Sequence, residues 1–310
     1  MKFRPCIDLH EGCVKQIVGG TLTDDAGKTP ETNFTSDKSA GNFAALYQED
    51  GLQGGHVIML GKGNEEAALE ALGAFPDGMH VGGGVTPENA QKYLDAGASH
   101  VIVTSYVFRD GTIDFDKLHE LESAVGKERL VLDLSCRRRS NEGESPRYFV
   151  VTDRWQKFTD YEITQENLET LAQHCSEFLV HGVDVEGLRV GIIGELVEML
   201  GRWSPIPVTY AGGARSVEDL ELVKLLGRGR VDLTIGSALD IFGGSLSYDT
   251  VVKWHYANLH GDDVELSSIS NPKERLRCMT ARTALEADRA AVTANAAFRT
   301  ALKLASASDH

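Results

Sequence analysis

Short apolar segments recur along the chain, and between them apolar residues are spaced as on one face of a helix. Eight such segments predict strands: Pro5 to Leu9, His56 to Leu60, Met79 to Val81, His100 to Val103, Leu130 to Leu134, Phe178 to His181, Pro207 to Ala211 and Val231 to Ile235. Apolar strands alternating with helices suit a parallel sheet covered by helices, and eight units close a barrel. The predicted fold is therefore α/β, a (β/α)8 barrel of the TIM type.

Two of the predicted helices carry start and stop signals. Thr86 is suited to cap a helix that has Pro87 at its first position and stops at Gly97. Ser216 and Gly227 bracket a corresponding helix later in the chain. These signals support the alternation of strand and helix.

The chain contains an internal repeat. Three landmarks occur in the same order in both halves, at offsets of 130, 132 and 125: Val81–Asn89 on Ala211–Asp219, His100–Ser105 on Asp232–Ser237, and Ile7–Leu9 on Leu132–Leu134. We interpret residues 1–262 as a barrel of two half-barrels, approximately 1–126 and 127–262. Residues 263–310 lie outside it, and the alanine-rich run from Ala281 to Ala307 predicts an appended helix that docks loosely or stays mobile.

Charge and cysteine content narrow the possible partners. The chain has 310 residues with 31 basic and 46 acidic side chains, a net charge of -15 at pH 7 that disfavours nucleic acid and anionic membranes as partners. Its five cysteines are scattered without a C-x-x-C pair, which argues against a disulfide framework or a structural zinc site. The opening segment lacks the features of a signal peptide, so we expect a cytoplasmic protein.

Two aspartates stand out as candidate catalytic groups. Asp8 and Asp133 each lie near the carboxyl end of a predicted strand, one in each half-barrel, where such barrels place catalytic residues. Two carboxyl groups facing one bound molecule act as acid and base if their surroundings hold them in different protonation states.

Duplicated loops predict two phosphate sites. Glycines let backbone N–H groups approach an anion, helix N-termini add partial positive charge, and hydroxyls donate further hydrogen bonds. Such residues follow the third and fourth strands and again the seventh and eighth: Gly83, Gly84, Thr104 and Ser105, then Gly212, Gly213, Ala214, Gly236 and Ser237. The repeat therefore predicts a ligand with a phosphate at each end.

The long segment from Ser135 to Asp160 after the fifth strand is a candidate lid. In it, Trp155 could stack on a heterocycle and Arg137 could meet a phosphate, while His181 at the end of the sixth strand could donate to substrate. No histidine pair has metal-ligand spacing, and neither a serine nucleophile elbow nor a dinucleotide fingerprint is present. We expect neither a metal nor an organic cofactor.

The opening block from Cys6 to Gly20 resembles that of the eukaryotic phosphoribosylformimino-5-aminoimidazole carboxamide ribotide isomerases of histidine biosynthesis. The resemblance covers roughly residues 2–258, and its further blocks occur in family order: Gly82-Gly83-Gly84, Leu132-Asp133-Leu134, His181 to Gly187, and Ala211 to Ala214. It implies a cofactor-free Amadori rearrangement of a bisphosphorylated substrate. We expect the chain to be a monomer. Asp8 would be the general base at ribose C2, and Asp133 the general acid at the ring oxygen.

The resemblance has gaps. Bacterial members carry a threonine near the position of Gly182 and Val183, for which Asp184 is a candidate replacement, and an arginine where this chain reads Gln16-Ile17-Val18. Two alternative functions stay open: the sister cyclase that makes imidazole glycerol phosphate with a glutaminase partner, and a non-catalytic barrel that binds sugar phosphates.

Overall fold

The computed structural model describes residues 1–21, 30–139, 145–152, 155–260, 265–284 and 287. The chain divides into two compact units, one formed by Phe3–Tyr248 and the other by Met1–Lys2 with Asp249–His310. None of the described helices is long and apolar enough to cross a membrane.

The first unit is built on parallel strands that alternate with helices. The described strands are β1 (Phe3–Arg4), β2 (Cys6–His10), β3 (Cys13–Ile17), β4 (Thr32–Thr35), β5 (Gly55–Met59), β6 (Met79–Gly82), β7 (Ala98–Val103), β8 (Phe108–Arg109), β9 (Thr112–Ile113), β10 (Leu130–Asp133), β11 (Cys136–Arg138), β12 (Tyr148–Thr152), β13 (Lys157–Glu162), β14 (Glu177–His181), β15 (Val208–Ala211) and β16 (Val231–Thr234). Its helices are α1 (Ala40–Glu49), α2 (Glu65–Ala74), α3 (Pro87–Asp95), α4 (Phe115–Val125), α5 (Gln165–Leu171), α6 (Gly194–Trp203) and α7 (Val217–Leu226), while α8 (Tyr248–Asn258) belongs to the second unit except for its first residue.

Eight parallel strand positions form the barrel, and β1 and β2 together make the first of them. The strands β2, β5, β6, β7, β10, β14, β15 and β16 pair in parallel in that order, and β1 pairs in parallel with β16. Only Pro5 separates β1 from β2, and because proline has no N–H the first strand is interrupted there without leaving the ring. The eight strands predicted from sequence are confirmed, each at or beside its predicted position.

Helix ends follow the sequence signals. Thr86 caps α3 in a capping box with Asn89, with Pro87 as the first helical residue, and Ser216 and Gly227 flank α7. These predicted caps are confirmed.

The two ends of the barrel differ in chemistry. At the amino ends of the strands, the Arg4 Nε lies 2.8 Å from Asp232 Oδ2 and its Nη2 lies 3.5 Å from Glu177 Oε2, all largely buried. Above this ion cluster lies an apolar layer of Ile102, Val131, Leu179 and Ala211. The opposite end, where the strands terminate, carries the polar groups predicted to be functional.

The segment after β10 is more ordered than a loop. Strands β11, β12 and β13 form a three-stranded antiparallel sheet, where the sequence predicted only a long lid. Arginines cover its aromatic residues, since Arg139 lies 5.4 Å from the ring centre of Phe149 and 5.8 Å from that of Phe158.

The internal repeat contains a one-residue slip in the glycine loops. Gly83 and Gly84 have φ angles of 98° and 74°, and the corresponding angles in the other half belong to Gly212 and Gly213, at 120° and 76°. The equivalent glycines are therefore offset by 129, whereas the helix caps are offset by 130. The alignment at a constant 130 was wrong inside this loop, because the second half has one more residue before its cap.

The second unit has a small core of its own. A helix over residues 272–284 brings Cys278 and Ala281 into a buried cluster with Ile269, Tyr256 and Ala257. This helix begins earlier than predicted, and the predicted helical run beyond residue 287 lies outside the described residues. The domain boundary at residue 262 stays a prediction.

Candidate active site

A pocket opens at the carboxyl ends of the barrel strands, and it contains residues from both halves of the chain. It is lined by Cys6, Asp8, Ile17, Gly19, His56, Ile58, Leu60, Asp133, Trp155, His181, Glu186, Gly187, Arg189, Ala211, Gly212, Gly213, Ala214, Thr234, Ile235, Gly236 and Ser237. Asp8 and Asp133, predicted from matched positions on two strands, thus line the same pocket.

Asp8 lies in β2 and is held by Gln16 of β3, whose Nε2 donates to its Oδ2 at 2.9 Å. Burial and the nearby Glu186 raise the pKa of Asp8 to about 7, against the opposing effects of His181, Gln16 and Cys6. A carboxyl group with this pKa is partly ionised at neutral pH and can both take up and release a proton.

Asp133 ends β10 and has a different environment. Its Oδ1 accepts hydrogen bonds from the backbone N–H of Ser135 at 2.9 Å and from the Ser135 hydroxyl at 2.8 Å, and lies 3.4 Å from His181 Nδ1. Burial alone would raise the pKa of Asp133, but His181 and the Ser135 bonds hold it below its ordinary value. The pKa values of the two aspartates are therefore shifted in opposite directions by their surroundings.

His181 carries the positive charge of the pocket. Burial alone would lower its pKa, yet Asp133 raises the pKa of His181 to about 9, with smaller contributions from Glu186 and Asp8. The neighbouring His56 is the opposite case, because burial and the charge of His181 lower its pKa to about 3. His181 is therefore an imidazolium at neutral pH and His56 a neutral imidazole.

Two clusters among the described residues have ligand atoms close enough for a metal: Cys6, Asp8 and His56 in the pocket, and His119, Glu122 and His174 outside it. In the pocket, burial raises the pKa of the Cys6 thiol far above its usual range, so it is not the thiolate that a metal prefers. In the outer cluster, His174 Nδ1 is already 2.9 Å from Glu122 Oε2. That the chain uses no metal stays a prediction.

The predicted phosphate residues of the second half all line the pocket. Gly212 cannot carry a side chain, because a Cβ there would lie 2.8 Å from the Gly182 carbonyl oxygen, and a Cβ on Gly213 would collide with the Gly191 carbonyl. The loop ends at the N-terminus of α7, whose first residue is Val217. A glycine loop that leads into a helix N-terminus is an arrangement that favours an anion.

Arg189 is a residue of this region that the sequence reasoning missed. It lines the pocket in a left-handed backbone conformation with φ of 54°, two residues before Gly191, whose N–H donates to the Gly213 carbonyl at 2.9 Å. The conformation is strained for a residue with a side chain, and such strain concentrates at functional sites. The sequence around Arg189 matches no binding motif and resembles an ordinary turn, so it did not mark this arginine as functional.

The predicted phosphate residues of the first half are placed differently. Gly83, Gly84 and Ser105 are exposed, Thr104 is half-buried, and none of these four is among the residues lining the pocket. They follow β6 and β7, so they lie at the same end of the barrel as the pocket. The structure does not bring both sets into one continuous pocket, and the first set stays a prediction.

Trp155 lines the pocket, whereas Arg137 and Asp184 pair with each other outside its lining. The Trp155 ring centre is 5.9 Å from that of His181. Arg137 Nε donates to Asp184 Oδ1 at 2.8 Å, and neither residue is among those lining the pocket. Their predicted substrate contacts remain untested, and in this structure they bind each other.

Thr234, at the end of β16, was also missed. Its hydroxyl oxygen is buried and lines the pocket, and within the described part of the chain it has no hydrogen-bond partner. A buried hydroxyl without a partner costs free energy unless a ligand or water bonds it. The pocket therefore offers an unused donor and acceptor to a polar ligand.

Comparison with known proteins gives one consistent result. The family model described as "Histidine biosynthesis protein" matches residues 2–246. The chain is 58% identical over 260 residues to the chloroplastic 1-(5-phosphoribosyl)-5-((5-phosphoribosylamino)methylideneamino)imidazole-4-carboxamide isomerase of Medicago truncatula, covering 82% of each chain. It is 52% identical over 257 residues to the isomerase of the same name from Neurospora crassa and 45% identical over 260 residues to that from Saccharomyces cerevisiae, covering 82% of this chain and 98% of each relative.

Proposed function

The chain belongs to the histidine biosynthesis protein family, and we propose that it is the isomerase that converts the bisphosphorylated formimino ribotide to its ribulosyl form. The reaction is an intramolecular exchange between an aldose and a ketose. The observation that carries the proposal is the pair of aspartates, one from each half-barrel, whose side chains line one pocket.

The chemistry needs one proton delivered and one removed at adjacent parts of the ribose. Protonation of the ring oxygen breaks its bond to C1 and leaves a C1–N double bond, and removal of the C2 proton then gives an enolamine. Loss of the C2 hydroxyl proton and gain of a proton at C1 complete the aminoketose, so atoms and charge balance. Asp8 is the base at C2, because its pKa of about 7 suits proton uptake and return near neutral pH.

Asp133 takes part in the step that protonates the ribose ring oxygen. One phosphate binds the loops of the second half, Gly212, Gly213, Ala214, Gly236 and Ser237, with Arg189 as its cationic partner and Thr234 as a further hydroxyl donor. The other phosphate binds the first-half residues Gly83, Gly84, Thr104 and Ser105. Backbone N–H groups make this possible in a chain with a net charge of -15.

The isomerase assignment is favoured over the two alternatives. The relatives from Medicago truncatula, Neurospora crassa and Saccharomyces cerevisiae are named as isomerases and are 45% to 58% identical to this chain over most of its length, which favours the isomerase over the sister cyclase. A non-catalytic barrel has no need of two carboxyl groups tuned in opposite directions.

The test is to incubate the purified chain with the bisphosphorylated formimino ribotide, without added cofactor, and to follow formation of the ketose. We expect steady turnover, and Asp8→Asn should lower kcat by at least ~100-fold while KM changes little, because proton transfer is lost and phosphate binding is not. Asp232→Asn is the control, since this aspartate belongs to the ion pair with Arg4 at the other end of the barrel and should retain kcat. No ketose from the wild-type chain would contradict the assignment.

We also propose that the chain works as a monomer. Light scattering during turnover at high dilution tests this directly. A cytoplasmic location remains our expectation, although the Medicago truncatula relative is named as chloroplastic.

A further inference from the structure

His181 occupies the centre of the pocket, between groups from several strands. It ends β14, and its side chain is 12% exposed. Its Nδ1 lies 3.4 Å from both Asp133 Oδ1 and the Ser135 hydroxyl. Because Nδ1 is directed at Asp133, the Nε2 at the other side of the ring is the nitrogen left for a ligand.

Asp133 is poorly suited to give up a proton itself. One of its oxygens already receives the Ser135 N–H and the Ser135 hydroxyl, with His181 Nδ1 as a third donor. Donors around a carboxylate stabilise its ionised form, which has no proton to transfer. The environment thus favours a negative charge on Asp133 and a positive charge on its neighbour.

The titratable groups around His181 either favour its positive charge or are neutral. Asp133 of β10, Asp8 of β2 and the half-buried Glu186 that follows β14 supply negative charge, and together they raise the pKa of His181 to about 9 despite its burial. His56 of β5, with ring centres 6.1 Å apart, stays neutral beside it. At neutral pH the proton of the pair is therefore on the imidazole.

We propose that His181 is the general acid of the isomerisation and that Asp133 is its positioning residue. This rests on the proposed function. His181 gives the proton on Nε2 to the ribose ring oxygen as the C1–O bond breaks, and the nitrogen at C1 supplies the electron pair for the new C–N double bond. The neutral imidazole is reprotonated when the C2 hydroxyl proton is released. Asp133 holds the ring in place and keeps it charged, as a carboxylate does for the histidine of a catalytic triad.

The test is the pH dependence of kcat/KM for the full chain. The wild-type profile should be a bell, with the acid limb near pH 7 from Asp8 and the alkaline limb near pH 9 from His181. His181→Gln should lower kcat by at least ~100-fold and remove the alkaline limb. Asp133→Asn should move that limb to lower pH, because the imidazolium loses its main negative partner.

His100→Gln is the matched control, because His100 is also a half-buried histidine on a barrel strand but is not among the residues lining the pocket. It should leave both limbs in place. A purely structural role for His181 would lower the amount of folded enzyme without moving the limbs. Activity of His181→Gln within threefold of wild type, with the alkaline limb unchanged, would overturn the proposal while leaving the proposed function intact.

A second measurement does not depend on variants that must fold. Nitrogen NMR of labelled wild-type chain reports the protonation of the His181 ring directly. We expect a charged ring at pH 7 that titrates near pH 9. A ring that is neutral at pH 7 would overturn the assignment, whereas absence of ketose formation by wild type at every pH would overturn the proposed function itself.

Discussion

At the residue scale, two aspartates at equivalent positions of the repeat have been given different surroundings. Asp8 receives one side-chain amide from Gln16 and faces the negative Glu186, whereas Asp133 receives the Ser135 donors and faces His181. The sequence predicts both carboxyl groups from their strand positions. It does not predict their protonation, because the neighbours that decide it come from other strands and from loops.

Gln16 should set the pH at which the base works. Gln16→Leu removes a hydrogen bond that favours the ionised form of Asp8, so the pKa of Asp8 rises and the acid limb of kcat/KM moves up by about one pH unit. Gln91→Leu is a matched control, since Gln91 makes the same type of bond to Asp95 at 2.7 Å on an exposed helix. An unmoved acid limb in Gln16→Leu would show that this bond does not tune Asp8.

Arg189 should contribute to binding and not to proton transfer. Arg189→Ala is expected to raise KM by ~10- to 100-fold with kcat nearly unchanged, the loss typical of one hydrogen bond between charged groups. Arg228→Ala is the control, because Arg228 has a nearly identical φ of 56° but follows α7, near the amino ends of the strands. Equal KM values for both variants would remove Arg189 from the phosphate site.

At the scale of elements, the barrel strands could be predicted closely and the insertions could not. Buried parallel strands are continuous apolar runs, and such a run can be recognised in the sequence without knowing which strands lie beside it. Strands β11 to β13 are not continuous apolar runs. Arginines in and beside them stack on their aromatic residues, as Arg147 does at 5.1 Å from the ring centre of Phe149. The separation in sequence between an arginine and its aromatic partner does not show that either residue lies in a strand.

The C-terminal element should affect stability more than catalysis. Deleting residues 263–310 should leave an active enzyme with a lower Tm, because Tyr256 and Ala257 lose the buried neighbours Ile269, Cys278 and Ala281. Deleting only residues 288–310 keeps that cluster and is the control, with a smaller expected loss of Tm than the longer deletion. A folded but inactive chain after the longer deletion would place this segment in the site and move the domain boundary.

At the scale of the whole molecule, the two half-barrels share the features expected of an internal repeat and differ in a few residues around the pocket. Each half supplies one aspartate and one pair of glycines with positive φ at the same end of the barrel. The halves diverge by the added residue in the second glycine loop, by Arg189 and by His181. The repeat predicts two phosphate sites from sequence, but Gly83 and Gly84 do not line the pocket, so the first site stays a prediction.

The most direct test of the account is a structure of the Asp8→Asn chain with the bisphosphorylated formimino ribotide bound. We predict one phosphate on Gly212, Gly213, Ser237 and Arg189, the other on Gly83, Gly84 and Ser105, with the ribose ring oxygen beside His181 and C2 beside residue 8. Both phosphates on one half-barrel, or a ribose turned away from Asp8 and His181, would contradict it.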